Sequence, residues 1–95
     1  MNSKILTFKE IAEKIKILKK KNKKIVLCHG VFDLLHVGHI KHLRKAKEFG
    51  DKLVVTITPD IYVNKGPGRP VFNQNLRSES IAALDSVDFV VINNT

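Results

Sequence analysis

The sequence predicts an α/β protein: a Rossmann-like parallel sheet with helices on both faces. Two observations carry that reading. Short, nearly continuous apolar runs stand at residues 24–29, 53–58 and 88–93, and segments with helical apolar spacing stand before and between them. Runs of that kind are strands covered on both faces, as in a parallel sheet. Strands separated by helices imply right-handed crossovers between parallel neighbours.

Taken in chain order, Thr7-Phe8-Lys9-Glu10 has the Thr-x-x-Glu form of a capping box, and Phe8, Ile11, Ala12, Ile15 and Leu18 follow as one apolar stripe. The helix should end in the lysine run at 20–24, where positive charge suits a helix C-terminus. Residues 1–23 are thus expected to form an N-terminal helix, and residues 24–95 the core of a single domain. The first strand leads through Gly30 and a short loop into a helix that begins around His36 to His39 and runs to Phe49. Ile40, Leu43 and Ala46 supply its inward face, and Gly50 stands where a C′ residue would stop it. Residues 53–58 are β-branched almost throughout, the clearest strand signal in the chain. Pro59-Asp60 breaks it. Residues 64–73 form a loop that is long for so small a domain, the kind that tends to carry function. Leu76, Ala83, Leu84 and Val87 mark a further helix before the last strand.

Composition narrows the function. A chain of 95 residues holds one domain at most, with a modest core. Apolar residues recur along the whole chain, which argues against disorder. The net charge of +8 points to an anionic partner: a nucleotide, a phosphorylated metabolite, nucleic acid or a membrane surface. Lys14, Lys16, Lys19, Lys20, Lys21, Lys23 and Lys24 crowd one stretch, read as the solvated face and tail of a helix. No aromatic residues interleave with them, which disfavours nucleic acid as the partner. The single Cys28 excludes an intrachain disulfide and CxxC chemistry, and its apolar flanks place it on a buried strand in a reducing compartment. No apolar run is long enough to span a bilayer and no signal peptide is evident, so a cytoplasmic protein without membrane attachment is expected.

Ligands of parallel sheets bind beyond the carboxyl ends of the strands. That nominates residues 30–39 and 59–73, which share one edge of the sheet. The first segment, Gly30-Val31-Phe32-Asp33-Leu34-Leu35-His36-Val37-Gly38-His39, leaves a strand and opens a helix. A helix N-terminus offers unpaired N–H groups and a positive dipole end, so it is ready to hold phosphate. Gly30 and Gly38 let a ligand approach the backbone. His36 and His39, at i and i+3, lie on nearby sides of a turn. Both imidazoles could donate to phosphate oxygens that gain charge as a bond breaks. Taken singly, either histidine would more often be a cap or a surface residue. Their pairing around a glycine, after a strand–glycine turn, reverses that preference. Zinc is not expected: His42 lies about 240° round a regular helix from His36, and no cysteine or carboxylate pair completes a ligand set. His29 either lines the pocket or packs beside it.

Residues 30–39 resemble the signature of the HxGH-type, cytidylyltransferase-like nucleotidyltransferases. The resemblance covers residues 24–93 and runs on through Gly50-Asp51, Asp60, Lys65-Gly66, Arg69-Pro70-Val71, Arg77, Ala83-Leu84 and Val87-Asp88. That second set is most similar to the adenylyltransferase domain of bifunctional heptose-phosphate kinase/adenylyltransferases. The resemblance implies direct transfer of a nucleotidyl group from ATP or CTP to a sugar phosphate or similar phosphorylated acceptor. Pyrophosphate leaves, no covalent enzyme intermediate forms, and Mg²⁺ travels with the triphosphate. His36 and His39 match the family histidines that contact the triphosphate, and Lys65 matches a lysine that reaches phosphate. Val31 and Phe32 match backbone lying along the nucleotide. Asp33 matches a family aspartate that holds the loop as much as it touches ligand. Arg69 and Arg77 match positions suited to bidentate phosphate contact.

Two departures bear on this. The glycerol-3-phosphate cytidylyltransferases carry an arginine just before the last strand, where this chain has Asp85-Ser86-Val87-Asp88. That makes a glycerol-3-phosphate type the alternative rather than the first expectation. The family domain also continues into a further strand and a late Ser/Thr-containing motif with no counterpart here. The fold is therefore expected to be truncated, its remainder supplied by a missing C-terminal portion, a second domain or a partner chain such as a homodimer mate. A non-catalytic nucleotide- or nucleic-acid-binding fragment that needs a partner is the reading from a different class.

Overall fold

Thr7 starts the first helix as the sequence predicts. In the computed structural model, which describes residues 3–63 and 70–93, the Thr7 hydroxyl accepts from Glu10 N and the Glu10 carboxylate accepts from Thr7 N. This reciprocal box caps α1, Phe8–Lys20. Its far end closes on Asn22, which takes the left-handed φ of 59°. Asn22 N bonds Lys19 O and Lys23 N bonds Leu18 O, the pair of contacts of a Schellman end.

Four parallel strands follow the order β1-β4-β3-β2. They are β1 Ile5–Leu6, β2 Ile25–Gly30, β3 Lys52–Ile57 and β4 Phe89–Ile92. The expected N-terminal helix is thus preceded by a strand, with Ile5 paired to Val90 and Leu6 to Val91. A two-residue strand has no period to read; its pairing with β4 creates it. The remaining helices are α2, Val37–Lys47, and α3, Gln74–Ala82, with a single 3₁₀ turn at Asp60–Tyr62.

Alternation along the strands sorts the core into two layers. Leu53, Val55, Ile57 and Val90 face α2 and α3, packing with Leu43, Ala46, Ile81 and Ala82. Val54 and Val91 face α1 and pack on Ile11. Helices therefore cover both faces, as predicted.

Two helix ends depart from expectation. α2 stops at Lys47 with Glu48 as its C-cap, so Gly50 is not its C′ stop. A Cβ at Gly50 would lie 2.8 Å from Val26 Cγ2 and 2.9 Å from Lys24 O, so close approach to β2 is what requires glycine there. α3 ends before Leu84 and Val87, which continue as successive turns with Leu84 N bonding Ile81 O and Val87 N bonding Leu84 O. Its inward face is Arg77, Ser78, Ile81 and Ala82, whereas Leu76 is exposed.

Candidate functional site

β2 ends at Gly30 and β3 at Ile57, so the loops that follow them share the carboxyl edge of the sheet. α2 begins there with His36 as its N-cap, in extended backbone at φ −135° and ψ 177°. Nδ1 of His36 accepts from Gly38 N at 3.0 Å, and Nδ1 of His39 accepts from His36 N at 3.3 Å. The two side chains thus cap the helix reciprocally, as Thr7 and Glu10 do for α1. A backbone N–H only donates, so each Nδ1 is bare and the proton of each neutral ring sits on Nε2. The rings lie side by side, centroids 4.0 Å apart and planes tilted by 33°. The cap reading of His36 is therefore met, and its Nε2 takes no part in the cap. Gly38 is needed for it: a Cβ there would lie 2.7 Å from Cε1 of His36 and 3.0 Å from its Nδ1.

Behind the pair stands Phe32, with a left-handed φ of 53°. For an aromatic residue that conformation costs about 1–3 kcal/mol and persists only where its surroundings over-determine it. Its ring is buried, meets His39 edge-on at 5.4 Å and 77°, and fills the place that a Cβ of Gly30 would take.

Asp33 is buried at 7% exposure. Its Oδ2 accepts from Val71 N and its Oδ1 from Phe72 N, both at 3.0 Å. The carboxylate therefore holds the loop before α3, the first of the two roles the sequence suggested.

Arg77 requires a correction. The expected contact with nucleotide phosphate is not what its geometry serves, because it is 1% exposed. Its Nε donates to Phe72 O at 3.0 Å, Nη1 to Val31 O at 2.9 Å and to Thr58 O at 2.7 Å, and Nη2 to Asp60 Oδ1 at 2.7 Å. Four of the five N–H donors of a guanidinium are thereby engaged within the protein. Val31, expected along the nucleotide, turns its carbonyl inward to this arginine. The sequence marks Asp60 as a strand breaker and within the family resemblance, but not as the partner of Arg77. The signal for the pair was present, because Arg77 stands four residues from Ile81 on the inward face of α3. Lys65 and Arg69, the other phosphate candidates, lie outside the described residues.

His29 stands on the α1 side of the sheet, away from α2. Nδ1 lies 2.6 Å from Thr56 Oγ1 and Nε2 lies 3.2 Å from Thr58 Oγ1, so it bridges Thr56 of β3 and Thr58 just beyond that strand's end. Cys28 is half-buried rather than buried, and that burial pushes its thiol pKa up. No helix among the described residues is long and apolar enough to cross a membrane.

The chain is similar to several known proteins. Residues 27–95 match the family described as Cytidylyltransferase-like. The bifunctional protein HldE of Aliarcobacter butzleri is 46% identical over 93 residues, covering 96% of this chain and 20% of that protein. The bifunctional protein HldE of Geotalea uraniireducens is also 46% identical over 93 residues, covering 96% of this chain and 19% of its own length. The chain thus spans about a fifth of the length of these curated relatives. Among solved structures, the lipopolysaccharide core biosynthesis protein from Thermoplasma volcanium superposes with a TM-score of 0.70 at 36% identity, over 76% of this chain and 59% of that one.

Proposed function

The chain belongs to the cytidylyltransferase-like family, and from that premise we propose that it holds a nucleoside triphosphate at the N-terminus of α2 and serves nucleotidyl transfer to a phosphorylated acceptor. The observation that carries this reading is the imidazole pair. His36 and His39 lie 4.0 Å apart at a helix N-terminus, each fixed with Nδ1 toward the backbone. The Nε2–H groups are then the nitrogens able to donate to phosphate, alongside the dipole of α2.

In the reaction, an acceptor phosphate oxygen attacks the α-phosphorus in line. The bond from that phosphorus to the bridging oxygen breaks, and pyrophosphate leaves with the electron pair. The imidazoles stabilise the oxygens on which charge grows and hold them oriented, so positioning and charge supply the rate. Neither ring needs to gain or lose its proton for this. Mg²⁺ bound with the triphosphate would neutralise phosphate charge. The residues fit a cation that arrives with its ligand: Asp33 is turned to Val71 and Phe72, and Asp60 to Arg77.

For the acceptor, a sugar phosphate is the first choice. The resemblance to heptose-phosphate adenylyltransferase domains supports it, as does the likeness to a protein of lipopolysaccharide core biosynthesis. ATP and CTP are both candidates for the donor. The test is calorimetric titration of the chain with Mg-ATP and Mg-CTP, joined to pyrophosphate release with sugar 1-phosphates and glycerol 3-phosphate as acceptors. His36→Ala and His39→Ala should abolish binding or turnover; unchanged values in both variants would sink the proposal.

A further inference from the structure

Burying a guanidinium in so small a core calls for a reason, because an apolar side chain of similar volume would fill the space without desolvating a charge. Among the described residues the single carboxylate on Arg77 is Asp60, whose side chain is 36% exposed. The other partners are three carbonyls, those of Val31, Thr58 and Phe72, from three separate loops. All three loops lie at the carboxyl edge of the sheet. What arginine offers there is its planar fork, which reaches several fixed acceptors at once.

The contact with Val31 matters most. Its carbonyl belongs to the peptide plane between Val31 and Phe32, and the orientation of that plane sets φ of Phe32. Nη1 of Arg77 holds it at 2.9 Å. On the other side of Phe32, the Asp33 carboxylate is pinned by Val71 and Phe72, and Phe72 O in turn accepts from Nε of Arg77. The left-handed Phe32 is thus clamped at both ends by one network centred on Arg77. Its ring is what His39 rests against, edge-on at 5.4 Å.

We propose that Arg77 is a positioning residue: acting through Val31 and Phe32, it sets the ring of His39. A lysine at 77 has neither the fork nor the reach to hold Val31, Thr58, Phe72 and Asp60 together. Phe32 is then free to relax to negative φ and withdraw its ring.

The test reads His39 directly. Long-range ¹H–¹⁵N correlation spectra of the imidazoles are recorded for wild type, Arg77→Lys and Phe32→Leu. In wild type, His36 and His39 should show the Nε2–H form with Nδ1 as acceptor. In Arg77→Lys, the His39 signals should move toward those of Phe32→Leu, while those of His42 stay in place. A role confined to stability would lower the melting temperature and leave the His39 signals in place. A folded Arg77→Lys with wild-type His39 signals would overturn the proposal. Should Arg77→Lys not fold, Asp60→Ala decides, since it releases one arm of the guanidinium at a half-exposed position. The same shift of His39 supports the proposal and its absence overturns it. Triphosphate affinity should also fall about tenfold in Arg77→Lys, the equivalent of about one hydrogen bond to a charged group. That last consequence rests on the function proposed above. If wild type binds no triphosphate, that function fails while the His39 signals still decide this inference.

Discussion

The backbone N–H of Gly38 donates to Nδ1 of His36 at 3.0 Å, so the same imidazole that is offered to a ligand also caps α2. The two duties separate by substitution. Asparagine is among the best N-caps but carries no donor where Nε2 stands, and alanine supplies neither. His36→Ala should lose about 1 kcal/mol of stability, while His36→Asn should stay within about 0.5 kcal/mol of wild type. Both should lose triphosphate affinity alike. Urea unfolding and calorimetric titration read the two effects. Equal stability of the variants would remove the capping role, and retained affinity in both would remove the donor role.

Gly38→Ala sets propensity against geometry. Alanine is favoured over glycine in a helix by about 1 kcal/mol. Yet its Cβ would fall 2.7 Å from Cε1 of His36, and the ring is what must give. The variant should therefore melt within a few degrees of wild type, about the shift that 1 kcal/mol produces, yet bind Mg-triphosphate far more weakly. A variant that binds normally would show that the ring position tolerates displacement.

Much of this arrangement was legible in the sequence, because the site is built from local signals. Thr7 and Glu10 are a cap that spacing alone reveals, and spacing also pairs His36 with His39 at the start of α2, though not as each other's caps. The three longer strands announce themselves by β-branched runs such as Leu53 to Ile57. What was not legible rests on contacts between distant segments. β1 exists because Ile5 and Leu6 meet Val90 and Val91. Gly50 is fixed by Lys24 and Val26 across the chain, not by the helix before it. Arg77 looked like a phosphate ligand because the family resemblance puts it at a position suited to that contact. Only the folded loops show its donors engaged by Val31, Thr58, Asp60 and Phe72.

The capping box of α1 makes a pH prediction. The Thr7 backbone N–H, then the Thr7 hydroxyl, holds the Glu10 carboxyl below its ordinary value of 4.5. A carboxylate depressed on folding contributes stability that is fully present above its unfolded value. That contribution is lost as pH falls through the folded one. Fraying of α1 should therefore begin below about pH 4.5 in wild type, and Glu10→Gln should remove that dependence. Amide exchange of residues 8–11 between pH 3 and pH 6 reads it; identical profiles for the two proteins would refute it.

Asp88 offers a control at the opposite end of the sheet. Its Oδ2 accepts from Leu53 N at 2.7 Å and from the Lys47 ammonium, with Lys52 3.8 Å from Oδ1. Leu53 is fully buried, so Asp88→Ala leaves its N–H without an acceptor. The cost should be about 1–3 kcal/mol, a large share of the roughly 5–15 kcal/mol that holds a domain of this size. Asp88→Asn keeps an oxygen for Leu53 N and removes only the attraction to two partly exposed lysines, so it should cost no more than about 1 kcal/mol. Because Leu53 lies near the start of β3 and the histidines stand beyond the sheet's carboxyl edge, triphosphate affinity should match wild type in whichever variant remains folded. Urea unfolding should rank wild type, Asp88→Asn and Asp88→Ala in that order of stability. If Asp88→Asn instead falls as far as Asp88→Ala, the two lysines rather than the Leu53 amide are what Asp88 serves.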